Sequence, residues 1–528
     1  MRALEIVLAL VAFAAVVAIL AERLRTPAPS LLVAAGFAVG LLPGVSAVDI
    51  PPEFVSLVVL PPLLYAAATD VSMPEFRVVV RPVLILAIGL VAVSAVAVAL
   101  TVRALVPQVT LSVGLVLGAV LASTDPVAVS ALARRLRLPP RLLALVQGES
   151  LLNDATSLVL FSVAVGVVGA GTTPSTLDVV GQFIWLGAGG AIVGLLLGWV
   201  VERLRRRTHD AVLHTVLALL TPYIVYFIAE SIHTSGVTAV VICGLRLSRR
   251  GDLELRGPVR LHTAHVYAVV IFILESMVFA LIGLVLPALA RGLPEADQGT
   301  LWVALAVTAV LILTRVLWIF PTGYLRRLFG IRERVTQSES PWRPLLVLSW
   351  AGTRGVVPLA AALSIPLLRD DGTPFPQRDL ILVLAVSCIA LTLLIQGLTL
   401  APLVKRLNVR TDSAQLEHEK SLALQVTATT ALATIDELVA DDIPTSVVER
   451  LRSELDQRAR QARRQHDRPS DEEASSGDAY RRLRLALLTV ESEQLVAMHE
   501  DGRIGESVRR EVQRSLDLDE ATLRDSQE

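Results

Sequence analysis

Charge is what this chain is short of. Acidic and basic residues fill 18% of its 528 positions, where a soluble protein carries about 25%. Most of those present lie in short loops or after residue 404, so the first four hundred residues are not an ordinary water-soluble domain. Cysteine is nearly absent. Cys243 and Cys388 both sit inside apolar runs, which excludes a disulfide framework, a zinc site and thiol redox chemistry. A glycine-rich phosphate-binding loop is missing, which excludes a nucleotide-driven pump. So is a pair of histidines suited to haem or metal; His262 and His265 stand at a helix entrance, an interfacial position. Neither an enzyme nor a cofactor is expected, and a formal net charge of -1 gives no reason to expect nucleic acid as a partner.

What is present is hydrophobicity: 53% apolar residues and a mean hydropathy of +0.62. A membrane helix needs about 20 apolar residues. On that basis thirteen spans are expected, near 3–22, 30–46, 54–69, 82–105, 110–134, 142–168, 180–203, 211–231, 235–248, 262–290, 300–325, 344–368 and 380–404. The first could be mistaken for a secretory signal. It lacks a small-residue cleavage site, and Glu22-Arg23-Leu24-Arg25 closes it as a helix end, so it counts as a span.

Loop charge tests the count. Alternate loops hold Arg23 and Arg25, Arg77 and Arg81, Arg134 to Arg141, Arg203 to Arg207, Arg246 to Arg260, and Arg326 to Arg343. The intervening loops hold only Arg103, Arg291, Arg369 and Arg378. Basic residues mark the cytoplasmic side, and one span too many or too few would break the alternation. The expectation is an all-α polytopic protein of the plasma membrane with its amino terminus outside. Residues 1–406 form the membrane domain and 407–528 a cytoplasmic helical tail, with helices near 413–440, 444–466, 478–499 and 503–515, punctuated by Pro444 and by 469–477. The tail is either a solvated appendage that aids assembly or a regulatory element.

Two spans are interrupted. The fifth breaks at Ser123-Thr124-Asp125-Pro126, the twelfth at Gly352-Thr353-Arg354-Gly355. Proline removes a backbone donor and glycine loosens a helix. Unwound backbone at membrane depth is tolerated only inside protein or beside a wet cavity. Seven spans apart, the broken segments run in opposite directions. Paired discontinuous helices in inverted repeats point to the substrate site of a secondary transporter.

The chemistry gathers around Gly148-Glu149-Ser150-Leu151-Leu152-Asn153-Asp154 in the sixth span. A charge at mid-membrane costs roughly 2.5–3.5 kcal/mol on insertion scales and is by default functional. Residues three and four apart share a helix face, so Ser150, Asp154 and Ser157 form one stripe and Glu149 and Asn153 the next. A carboxylate that holds either a proton or a sodium ion gives exchange by competition. A hard cation wants oxygen ligands, so the Na+ site is expected at Asp154, Thr124 and Ser150. Asp125 either binds the ion or neutralises half-helix ends at the crossing. Glu149 and Arg354, each costly alone, are expected to form the core ion pair. Asn153 beside Asp154 leaves one titratable group, which suggests one-for-one, electroneutral turnover. Glu275 lines a funnel or pairs with Arg315. Glu230 and His233 flank the ninth span as interfacial residues, and Gln396 is a helix-packing candidate.

These segments resemble the signatures of the sodium/proton exchangers, in the bacterial asparagine–aspartate branch of the cation/proton antiporters. Leu60-Pro61-Pro62-Leu63-Leu64-Tyr65 and Gln396-Gly397-Leu398-Thr399 look like that family too. The resemblance covers most of residues 1–410. It implies a thirteen-helix fold with inverted repeats, a homodimer in membrane lipid, and an elevator-like motion of a core domain against a dimerisation domain. It also implies Asp154 as carrier, with Thr124, Ser150 and Asn153 completing the site and Glu149–Arg354 as the core pair. The substrates implied are Na+ or Li+ and H+, with K+ as the near alternative. A cation channel without obligatory coupling is the alternative of another class.

Overall fold

A computed structural model gives the fold. It describes residues 2–24, 26–42, 55–127, 129–130, 138–171, 175–208, 210–254, 257–292, 298–328, 342–409, 413–439, 444–467, 471–501, 503 and 506–525. The expected ends of the second span (43–46) and fifth span (131–134), residue 54, and Arg25, Arg134, Arg135, Arg137, Arg256, Arg332 and Arg334 lie outside the described residues. Two compact units divide the chain, Met1–Arg410 and Thr411–Glu528.

The first unit opens with α1 (Arg2–Leu24), α2 (Ala28–Gly40) and α3 (Leu60–Thr69). Pro61 and Pro62 stand in the first turn of α3, directly after a π-helical turn, Val55–Val59, from which the helix continues without a break. The fourth span begins nine residues before its expected start. Helix α4 runs over Met73–Leu105. Its first third is amphipathic, burying Phe76, Val79 and Val83 while exposing Arg77 and Arg81, and this charge made it read as loop. Three residues after Pro82 the helix widens into a π-turn over Ile85–Leu90, as helices do where a bond to proline is missing.

The remaining helices are α5 (Leu111–Ala122), α6 (Pro140–Ala170), α7 (Thr176–Arg206), α8 (Ala211–Ser231), α9 (Gly236–Glu254), α10 (Gly257–Gly292) and α11 (Gln298–Leu328). The twelfth span is two pieces, α12 (Trp342–Trp350) and α13 (Val356–Leu363), and α14 (Arg378–Leu407) closes the unit. Among the described residues seven helices are long and apolar enough to cross a membrane, and the shorter α2, α3, α5 and α9 are apolar as well. The chain is a multi-pass, all-α membrane protein. Among the described residues the nearest approach to a strand is an isolated bridge between Leu368 and Pro374.

The fifth span stops at Ala122, runs extended through Ser123, and resumes helical structure at Val127. Helix α13, the second half of span twelve, packs against α5, the first half of span five. Halves of opposite order share one side of the crossing only when the two spans run in opposite directions.

The described residues of the second unit form four helices: α15 (Ser413–Leu438), α16 (Thr445–Asp467), α17 (Asp471–Glu500) and α18 (Glu506–Asp525). Helix α15 packs on α16, and α17 on α18. The expected interruption over 469–477 is shorter than the composition suggests, because α17 already begins at Asp471.

Candidate functional site

Each broken helix leaves carbonyls without acceptance at the end of its first half and N–H groups without partners at the start of its second. The structure closes these ends with three side chains. The Arg354 guanidinium donates to Ala122 O at 2.6 Å and to Ser123 O, capping α5. Arg315, from α11, donates to Leu348 O through Nε at 3.2 Å and Nη2 at 3.1 Å, capping α12. The Asp125 carboxylate accepts from Val127 N at 2.8 Å, with the Val356 amide also in reach, and so faces the positive ends of both second halves. Thr353 locks the crossing: its carbonyl accepts from Asp125 N at 2.7 Å and its hydroxyl donates to Asp125 O at 2.9 Å. At position 355 a Cβ would collide with the Asp125 carboxyl group, so glycine is required there for close approach.

Asp154 faces this crossing from α6 and is 7% exposed. The Ser123 hydroxyl donates to its carboxylate. The Ser150 hydroxyl donates to Thr124 O, holding the extended strand of the break against α6. Asn153 Nδ2 donates to Thr124 Oγ1 and to Glu149 Oε1, both at 3.2 Å. That leaves Asn153 Oδ1 buried with no hydrogen-bond partner, an acceptor turned towards nothing that the protein supplies. A buried acceptor in that condition costs about 1–3 kcal/mol and marks a place for a ligand or water. Asp154, Thr124, Ser150, Asn153 and Asp125 therefore come together as neighbours, although Asp125 spends its carboxylate on helix ends. No group of three histidine, cysteine or carboxylate side chains converges among the described residues. The oxygen set at Asp154 is thus one carboxylate among neutral oxygens, a weak field that suits a monovalent cation better than a divalent one.

The expected Glu149–Arg354 pair is corrected. Glu149, 0% exposed, takes a bidentate bond from Arg315, with Nη2 to Oε2 at 2.9 Å and Nη1 to Oε1. Arg354 lies in the break itself, its backbone N–H on Thr392 Oγ1 at 3.2 Å. Its guanidinium is taken by the carbonyls at the end of α5 instead. The alternative pairing of Arg315 with Glu275 is not formed either, because the Arg315 guanidinium is taken by Glu149 and Leu348 O. Glu275 stands half-buried on α10, within electrostatic reach of Asp125. Gln396 is buried on a π-turn of α14, Leu393–Gly397, with its Oε1 unpartnered, while the adjacent Leu393 O accepts from Ser30 at 2.8 Å. Sequence reasoning missed Ser123 as a partner of Asp154 and Arg315 as the anchor of Glu149. The signal for Arg315 was there: an arginine alone in an apolar run, here 2% exposed.

Comparison with known proteins identifies the family and the fold. Residues 9–406 match the family described as "Sodium/hydrogen exchanger, transmembrane". An uncharacterised Na+/H+ exchanger of Mycobacterium tuberculosis is 36% identical over 532 positions, covering 99% of this chain and 96% of its own. A sodium, potassium, lithium and rubidium/H+ antiporter of Bacillus pumilus is 30% identical over 434 positions, covering 79% of this chain and 63% of its own. Among solved structures, the sodium proton antiporter MjNhaP1 from Methanocaldococcus jannaschii superposes with a TM-score of 0.62 at 21% identity, over 77% of this chain and 99% of that one.

Proposed function

The chain belongs to the sodium/hydrogen exchanger family, and from that premise we propose that it exchanges one Na+ or Li+ for one H+ across the plasma membrane. Asp154 is the carrier. It holds the metal ion when ionised, together with Asn153 Oδ1, Thr124 and Ser150, and the proton when neutral. The observation that carries this reading is the unpartnered Asn153 Oδ1 beside a buried carboxylate. Within the hydrogen-bonded cluster three carboxylates (Asp125, Glu149 and Asp154) face two guanidinium groups (Arg315 and Arg354). One negative charge is left over, and one proton or one monovalent cation neutralises it. Either loaded form can then cross without moving net charge, which supports electroneutral turnover.

The helices also sort into two groups. α4, α5, α6 and α11 to α14 pack around the crossing, while α2 packs on α10 and α9 on α3 and α7. This sorting supports an elevator-like movement of the first group against the second within a homodimer. The arginine alternation supports an amino terminus outside, with residues 407–528 in the cytoplasm. Potassium is the second reading, favoured by the Bacillus relative, whose name includes it.

Purified protein in liposomes tests the proposal. Internal pH is followed as Na+, Li+ or K+ is added, with and without an imposed membrane potential. Cation-dependent proton movement that ignores the potential is the expected result. Current without coupled proton flow makes the protein a channel, and a rate that follows the potential rejects one-for-one exchange.

A further inference from the structure

A cavity of about 570 Å³ opens beside the carrier face of α6. Leu158 and Phe161 line it; they lie four and seven residues beyond Asp154, on the same helix face. Ala360 of α13 continues that wall. The facing wall is Trp185 of α7 with Tyr226 and Glu230 of α8. Trp185 stands far along α7 from its arginine-rich end at 203–206, so the cavity belongs to the arginine-poor side of the membrane, the outside in the orientation proposed above.

Glu230 is the carboxylate of this cavity. One oxygen accepts from Gly236 N at 2.9 Å, closing the first turn of α9. The other has no hydrogen-bond partner among the described residues, and the side chain is exposed to the cavity. A cap needs one acceptor oxygen and no charge, which a glutamine supplies equally well. A formal negative charge here does something more: Leu158, Phe161, Ala360 and Trp185 supply low-dielectric surface that focuses its field along the cavity and concentrates cations there, while Gln182, Ser235 and the neighbouring His233 make the rest of the lining polar.

We propose that Glu230 is a collecting and positioning residue for the outer face, drawing monovalent cations into the cavity and along α6 towards Asp154. The inference rests on the antiport reading and on its orientation. The same field acts on a proton arriving from outside, so the equilibrium exchange ratio is untouched and only the outer half-saturation moves.

The test uses the full chain in inside-out and right-side-out membrane vesicles, with Na+ as the probe. Glu230→Gln keeps the cap and removes the charge. The expected result is an apparent KM for outer Na+ raised about threefold to tenfold, with an unchanged maximal rate and an unchanged KM at the inner face. Raising ionic strength with an impermeant salt shrinks the difference, as screening requires. Glu230→Ala loses the cap as well and lowers the melting temperature. Overturning results are a Gln variant equal to wild type on both faces, or one that loses activity equally on both faces with a lowered melting temperature, which leaves a cap only. Wild-type vesicles with no cation-dependent proton movement reject the antiport reading itself, and this inference with it.

Discussion

The two broken spans are built alike and used differently. In both, an arginine from elsewhere caps the carbonyl end of the first half: Arg354 on α5, Arg315 on α12. Around the first break the leftover polar groups turn towards α6, where Ser123 meets Asp154 and Thr124 meets Ser150 and Asn153. Around the second they turn inward, where Thr353 ties the crossing and Gly355 makes room for Asp125. In the proposed reading, one break presents chemistry and the other holds it in place. Duplicated geometry therefore does not imply duplicated function, because function follows which side chains face the carboxylate.

Removing the proposed carrier tests that division most strongly. Asp154→Asn abolishes coupled exchange in liposomes while the protein still inserts and purifies as a folded species; robust antiport by this variant would reject the assignment. Next in size is the anchor. Glu149→Ala leaves Arg315 buried without its carboxylate, and breaking such a pair costs about 3–5 kcal/mol. A large fall in melting temperature in detergent is expected, and unchanged melting with a shifted cation KM would move Glu149 from scaffold to site.

The two breaks can then be compared directly. Ser123→Ala removes the hydroxyl that donates to the Asp154 carboxylate and is expected to change the cation half-saturation several-fold or more, whatever its effect on melting. Thr353→Ala removes a neutral hydrogen bond worth about 1 kcal/mol. A small loss of thermal stability with unchanged cation half-saturation is expected, and a shift equal to that of Ser123→Ala would erase the proposed difference between the breaks.

Much of this was legible in the chain itself. Hydropathy located the spans, because a bilayer enforces length on every segment separately. Proline, glycine and an isolated acid marked the breaks and Asp154, because each is costly in hydrocarbon unless it serves something. The start of α4 was hidden, since an amphipathic turn carrying Arg77 and Arg81 looks like a loop until Phe76 and Val79 are seen buried. Partnership was hidden as well. Glu149 had two arginines to choose from, 166 and 205 positions away, and no local pattern ranks them. Sequence determined which groups must be buried and roughly how deep, since burial is a one-body cost read residue by residue. Only the packed fold decided which of them meet, since a hydrogen bond depends on helix rotation and on the competing claims of unpaired carbonyls at Ala122, Ser123 and Leu348.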